Sequence, residues 1–308
     1  MTSSAPIEKN TPLPRALISL TCPIIAVILI IFGSEVKAGI YKGLIFSFTT
    51  VIPTLFPFFI LSDIWVKSCC TEGIFSRITE RIFGISGVSF SAIVTGLICG
   101  FPIGIKTASE LYRREIISKD ELEHLCGFVN NPSPAFVISG IGAAMMGSVS
   151  AGIRLCLSVM LSAFAIGIIF RKKHTSNGKT DFISRQNFDL AESIRSAGLT
   201  SLNVTSCIAL FGGIINMVSI IAPNKFISAS VSAILEITNA AKSICDLSFK
   251  TATTKYMAIS FALGFSGMSA HIQAFSFMPK EISRPRYLAK KLLQGIICSL
   301  FSLLLFLI

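Results

Sequence analysis

Charge is scarce in this chain. Only 14% of its 308 residues are charged, against roughly 25% in an ordinary globular domain. A chain that faced water on all sides could not be built from so few. Tryptophan occurs once, at Trp65. The sequence holds no HExxH pair, no GxSxG elbow and no GxxxxGK[ST] loop, the spacings that zinc hydrolysis, serine hydrolysis and ATP binding require. These absences argue against an enzyme and against a pump with its own nucleotide site. The three histidines, His124, His174 and His271, show no ligand spacing, so neither a metal nor a cofactor is expected. The nine cysteines include one adjacent pair, Cys69–Cys70, and no CxxC. Most lie in apolar surroundings, where a thiol packs as a small hydrophobe.

What the chain has is apolar length. Hydrophobic residues make up 52% of it, and its mean hydropathy is +0.73. The charges are bunched, leaving uncharged windows at 16–32, 43–62, 82–105, 127–153, 155–170, 196–224, 256–279 and 292–308, with 226–241 interrupted by Glu236. Crossing the hydrocarbon core takes ~20 apolar residues, so the pattern predicts an all-α polytopic membrane protein with about seven to nine hydrophobic segments. The net charge of +11 comes from Lys and Arg beside those segments. The excess of basic residues in cytoplasmic loops explains this more simply than nucleic-acid binding does. The expected partners are the lipid bilayer and a small-molecule solute, with no nucleic acid; nothing in the sequence specifies an oligomer. Residues 1–15 are polar, with Pro6, Pro12 and Pro14, and read as a disordered tail ahead of a single membrane domain, 16–308. Its two halves would span 43–170 and 188–308.

Several windows are poor helices. Val-Ile-Pro-Thr-Leu-Phe-Pro-Phe-Phe places Pro53 and Pro57 four apart, which predicts a bend. Window 82–105 holds Gly84, Gly87, Gly96, Gly100, Gly104 and Pro102. Each such glycine costs ~1 kcal/mol relative to Ala in a helix, so a re-entrant or unwound element is expected. A second is expected at 226–250, because the loop charges at 67–81, 106–119, 171–185 and 280–291 share one face only if both elements turn back. That parity is what an inverted repeat produces. Between the two lie an amphipathic helix starting at Lys106, a capping box at Ser118-Lys119-Asp120-Glu121, and a break at Asn130-Asn131-Pro132-Ser133-Pro134.

Broken backbone at membrane depth is tolerated only where protein or a water-filled cavity covers it, and it points to a transporter's binding site. The candidate substrate-binding residues therefore follow the breaks: Pro102, Gly104, Lys106, Asn130, Asn131, Ser133, Glu236, Thr238, Asn239, His271 and Gln273. Lys106 stands at a helix start, where free amides and an ammonium together suit an anion. It could equally snorkel to a headgroup. Glu236 is too costly to face lipid; it could bind substrate or a cation, or sit at a helix end. Asn130, Asn131 and Ser133 could bind solute or cap a half-helix.

The same stretches resemble a known family. Gly-Phe-Pro-Ile-Gly-Ile-Lys (100–106), Ile-Ser-Lys-Asp-Glu (117–121) and Asn-Asn-Pro-Ser-Pro-Ala-Phe (130–136) look like the nucleoside-recognition Gate domain. The layout from Gly43 to Gly295 resembles the sporulation integral membrane protein YlbJ family, with Leu-Phe-Pro-Phe-Phe (55–59), Glu-Ile-Thr-Asn (236–239) and His-Ile-Gln (271–273) fitting as well. At 264–270 the chain reads Gly-Phe-Ser-Gly-Met-Ser-Ala, where the family pattern leads one to expect paired glycines. The resemblance implies a multi-pass cell-membrane transporter of an anionic or nucleoside-like solute. It points to dipicolinate export across the outer forespore membrane. A membrane scaffold needed for the spore cortex is the alternative.

Overall fold

A computed structural model describes residues 12–67, 72–171, 189–222 and 224–307. The expectations for His174 and for most of the 171–185 loop lie outside the described residues. Those residues are helical or irregular, and none is in a strand. The helices are α1 (Pro12–Ile31), α2 (Gly33–Phe46), α3 (Ile52–Lys67), α4 (Glu72–Phe83), α5 (Phe90–Ile98), α6 (Ile103–Arg113), α7 (Lys119–Cys126), α8 (Val149–Ile169), α9 (Leu190–Ile221), α10 (Lys225–Leu235), α11 (Ile237–Cys245), α12 (Ala252–Phe265), α13 (Gly267–Phe277) and α14 (Arg284–Leu307).

The all-α membrane class is borne out, but the number of spans is lower than expected. Among the described residues, four helices are long and apolar enough to cross a membrane: Gly33–Ile64, Val149–Ile169, Leu190–Ile221 and Arg284–Leu307. A fifth span exists if Arg77–Phe83 and Gly87–Ile98, bent by 87°, count as one. The surplus windows fail for a physical reason. Hydropathy registers burial, and burial against protein looks the same as burial in lipid. Windows 127–153, 226–241 and 256–279 are each divided into pieces, most of them too short to cross; α11, α12 and α13 are partly buried against the bundle, while α10 keeps an exposed apolar face.

Each half has the same order of parts. In the first half the 32-residue helix Gly33–Ile64 precedes the short pair α5 and α6, then α7, a break and the π-helical segment Phe136–Met145, then α8. In the second half the 32-residue α9 precedes the short pair α10 and α11, then α12, a break and α13, then α14. The first half carries α4 in addition. The two 32-residue helices pack on each other through small residues. Gly39 and Gly43 of α2 meet the backbone of Gly212, Ile208 and Ala209 of α9 so closely that no Cβ fits at Gly39. Close backbone approach of this kind is how helices associate when lipid removes the hydrophobic drive between them. The missing amide at Pro53 falls just after a π-helical turn, Ser47–Val51, the device that absorbs such defects.

The turn between α5 and α6 makes a helical hairpin where a re-entrant or unwound element was expected, with different limits. The expected segment 82–105 contains its first arm, α5, and the turn, and the charged helix, α6 from Ile103, is its second arm instead of a connector. Thr95 Oγ1 donates to Thr107 Oγ1 across the two arms at 3.1 Å, and Gly96 faces Gly104. The capping box forms on one side only: Ser118 Oγ accepts from Glu121 N at 3.2 Å. Its other partner, the Glu121 carboxylate, turns instead to Ser86 and Ser89 and closes the turn before α5.

Candidate functional site

The site grows out of two missing amides. In a helix the carbonyl of residue i accepts from the N–H of residue i+4. Pro132 and Pro134 have no N–H, so the carbonyls of Phe128 and Asn130 lose their partners. Both are buried, and a buried unpaired carbonyl costs about 1–3 kcal/mol. Two side chains replace the lost donors. Asn131 Nδ2 donates to Phe128 O at 2.6 Å, and Lys291 Nζ donates to Asn130 O at 2.6 Å.

Lys291 comes from α14 with a set of neighbours on one helix face, Tyr287, Lys291 and Gln294, spaced i, i+4 and i+7. Gln294 Oε1 accepts from Lys291 Nζ at 2.6 Å, and Gln294 Nε2 donates to Asn131 Oδ1 at 2.7 Å. Tyr287 Oη accepts from Asn130 Nδ2 at 2.7 Å and lies 2.9 Å from His271 Nδ1 of α13. The tip of the first hairpin closes on the same break: Phe101 N donates to Asn131 O at 2.8 Å. Gly100, at φ +79°, runs so close to Ser133 that only a glycine fits there. Every polar side chain in this network is buried, and Lys291 and Gln294 are fully so.

The second break has the same logic with different residues. Glu236 is a single extended residue between α10 and α11. It is buried, 3% exposed. Its Oε1 accepts from Thr238 N at 2.9 Å, and its Oε2 accepts from Asn239 N at 2.8 Å and Asn239 Nδ2 at 2.9 Å. Gly267, at φ +75°, brings the α12–α13 break against the backbone of Glu236. Phe101 and Phe136 of the first half pack in one cluster with Ile237, Ala240 and Ala241 of the second, so the two breaks lie in one packed interior.

The predicted site residues divide accordingly. Asn130, Asn131 and His271 are joined through Tyr287 and Gln294. Glu236, Thr238 and Asn239 form one N-cap. Pro102 and Gly104 shape the first hairpin, where Gly104 lies against Val129 O, and Ser133 Oγ accepts from Phe136 N. Gln273 Nε2 approaches Ser269 Oγ at 3.4 Å. Lys106 is turned elsewhere: its ammonium donates to Ser196 Oγ at 2.8 Å and Thr200 Oγ1 at 3.2 Å on α9. Ser196 Oγ in turn donates to Asp63 Oδ1 at 3.3 Å, and Ser193 Oγ to Asp63 Oδ2 at 2.8 Å. Sequence reasoning missed Tyr287, Lys291 and Gln294. It took residues 280–291 as a basic loop, whereas the last helix begins at Arg284 and carries Lys291 into the bundle. Their i, i+4, i+7 spacing was the available signal.

Three buried atoms here have no hydrogen-bond partner among the described residues: Asn130 Oδ1, His271 Nε2 and Gln273 Oε1. Buried polar groups are nearly always paired, and an orphan calls for a ligand, water or a functional role. The network brings together an ammonium, three carboxamides, a phenol and an imidazole. A groove lies apart from the breaks. It measures about 460 Å³ and is lined by Asp120, Glu123, His124, Phe170, Arg286 and Lys290. Arg286 is already paired with Glu123 there, and the Lys290 ammonium sits over the Phe170 ring. Burial pushes the thiol of Cys126, on the same helix as His124, up to about 12.

The chain is similar to the Sporulation integral membrane protein YlbJ of Bacillus subtilis (strain 168), at 25% identity over an alignment of 309 positions, gaps included, that covers 85% of this chain and 76% of that protein. The resemblance read from residues 43–295 is thereby borne out. No family model matches the chain, so the Gate-domain likeness rests on the sequence blocks alone, and no solved structure matches it.

The Glu236 cap carries its own prediction. Glu236→Ala leaves the amides of Thr238 and Asn239 without acceptors and should cost about 0.5–2 kcal/mol, the usual value of an N-cap. Glu236→Gln keeps one acceptor oxygen and should lose less. Thermal unfolding in detergent reads the difference, and equal melting temperatures for the two variants would contradict a capping role.

Proposed function

We propose that the chain is a membrane transporter of a small solute, anionic or nucleoside-like, which binds where the two breaks meet. The observation that carries this is the pair of interrupted helices whose freed backbone is satisfied by side chains of a buried, incompletely paired polar network. Interrupted helices at a repeat interface are the usual construction of a transporter's central site, and irregular backbone survives inside a membrane protein only where protein or a cavity covers it. The name of the relative adds a context, sporulation. Within it, dipicolinate moving across the outer forespore membrane is the candidate cargo. The network is closed, so solute entry requires the α14 face to part from the Asn130–Asn131 break.

The test is uptake by purified protein in liposomes, using radiolabelled pyridine-2,6-dicarboxylate and uridine. Accumulation above protein-free liposomes, saturating with concentration, is the expected result. Uptake of neither solute by folded protein would favour a membrane scaffold for spore assembly instead.

A further inference from the structure

Lys291 is the one side chain in the network whose charge is unanswered. It is fully buried, and among the described residues it makes no ion pair. Its contacts are Asn130 O and Gln294 Oε1. An ammonium has three N–H donors, and these are two neutral acceptors. A buried charge is normally retained only when it is paired or when it serves a function. Lys106, the cation that the sequence singled out, does not share this condition. It is linked through Ser196 to the Asp63 carboxylate, so an acidic group already stands in its circle of hydrogen bonds.

The position of Lys291 suits a ligand contact. Its bond to Asn130 O stands in for the amide that Pro134 lacks, so the lysine holds the break shut by a bond to a neutral carbonyl. A carboxylate is a better acceptor for an ammonium than a carbonyl, since charge-assisted bonds are roughly twice as strong. Around the lysine, Asn130 is tied to Tyr287 and Tyr287 to His271, and His271 Nε2 and Asn130 Oδ1 are unpartnered. A solute carboxylate at Lys291 would therefore have His271 Nε2 as its remaining candidate donor, whereas Asn130 Oδ1, an acceptor, suits a donor group on the solute.

We propose that Lys291, and not Lys106, supplies the ammonium that binds the solute, and that it does so by exchanging its Asn130 carbonyl for a solute carboxylate. This deepens the transport reading above and rests on it. The exchange also makes the lysine a latch: with no anion present it pins α14 to the first break.

The experiment compares wild type, Lys291→Met, Lys291→Gln and Lys106→Met in liposomes, with pyridine-2,6-dicarboxylate and uridine as probes. Losing one partner of a buried charge contact should reduce dicarboxylate uptake by about a hundredfold in Lys291→Met, and Lys106→Met should lose less than about tenfold. Lys291→Gln keeps a donor for Asn130 O without the charge, so it should fold even if the Met variant does not, and should lose dicarboxylate uptake equally. A second readout needs no transport: pyridine-2,6-dicarboxylate should raise the melting temperature of wild type and not of Lys291→Gln. Dicarboxylate uptake retained by folded Lys291→Gln overturns the proposal, as does wild-type uptake of uridine alone. Wild-type uptake of neither probe overturns the transport reading itself, a distinguishable result.

Discussion

Gly104→Val is expected to leave almost no folded protein in the membrane. Helix propensity alone points the other way, since an interior glycine costs ~1 kcal/mol relative to Ala. The packing decides the sign. A Cβ at Gly104 would strike the carbonyl oxygen of Val129 and stand 2.8 Å from Gly96 Cα. Those are backbone atoms on both sides, so no side chain can rotate away. Overpacking of an ordinary core site costs about 1–3 kcal/mol, and a β-branched residue between two backbones should exceed that. Gly198 provides the control. It lies in α9, and a methyl group added there would meet nothing within 4 Å, so Gly198→Ala should be neutral or stabilising by up to ~1 kcal/mol. Expression level and thermal unfolding in detergent measure both. A Gly104→Val protein that melts like wild type would show that the hairpin does not press on Val129.

The second large effect is expected at Asn131. Its Nδ2 holds Phe128 O and its Oδ1 receives Gln294 Nε2. Asn131→Ala strands both partners in a dry interior. Each stranded group costs about 1–3 kcal/mol, so the pair should cost about 2–6 kcal/mol. Asn131→Asp keeps an acceptor for Gln294 and loses only the donor to Phe128, so the thermal transition should fall in the order wild type, Asp, Ala. Equal loss in both would mean that Gln294 contributes nothing to the break.

The outcome at Asn131 also bears on what the sequence could tell. The break at 130–134 was legible because its cause is local: two prolines remove two amides, and any chain with that spacing must satisfy two carbonyls. The glycine-rich hairpin was legible for the same reason, although its second arm was hidden by charge. Lys106, Glu110, Arg113 and Arg114 look like a solvated helix, yet Ile105, Ala108 and Leu111 on the other side are buried. What could not be read locally was the identity of the donors. Asn131 answers Phe128 from three residues away, but Lys291 answers Asn130 from 161 residues away, and inside a run of basic residues it resembled a loop. Lys106 misled in the opposite direction. It follows the glycine-rich stretch in sequence, but its position on α6 aims the side chain at α9. The number of spans was overstated because an apolar window does not say what buries it.

The distance between the first break and its donor has a consequence for how the protein is made. Synthesis runs from the N-terminus, so Asn130, Asn131 and the two prolines are in the membrane long before α14 exists. Until Tyr287, Lys291 and Gln294 emerge, the Asn130 carbonyl and the side chains of both asparagines wait without those partners. The first half is therefore an unfinished object during translation, and completion comes only with the last helix. A nascent chain cut short before Arg284 should be recognised as defective by membrane quality control, even though all but one of its long helices are already in place.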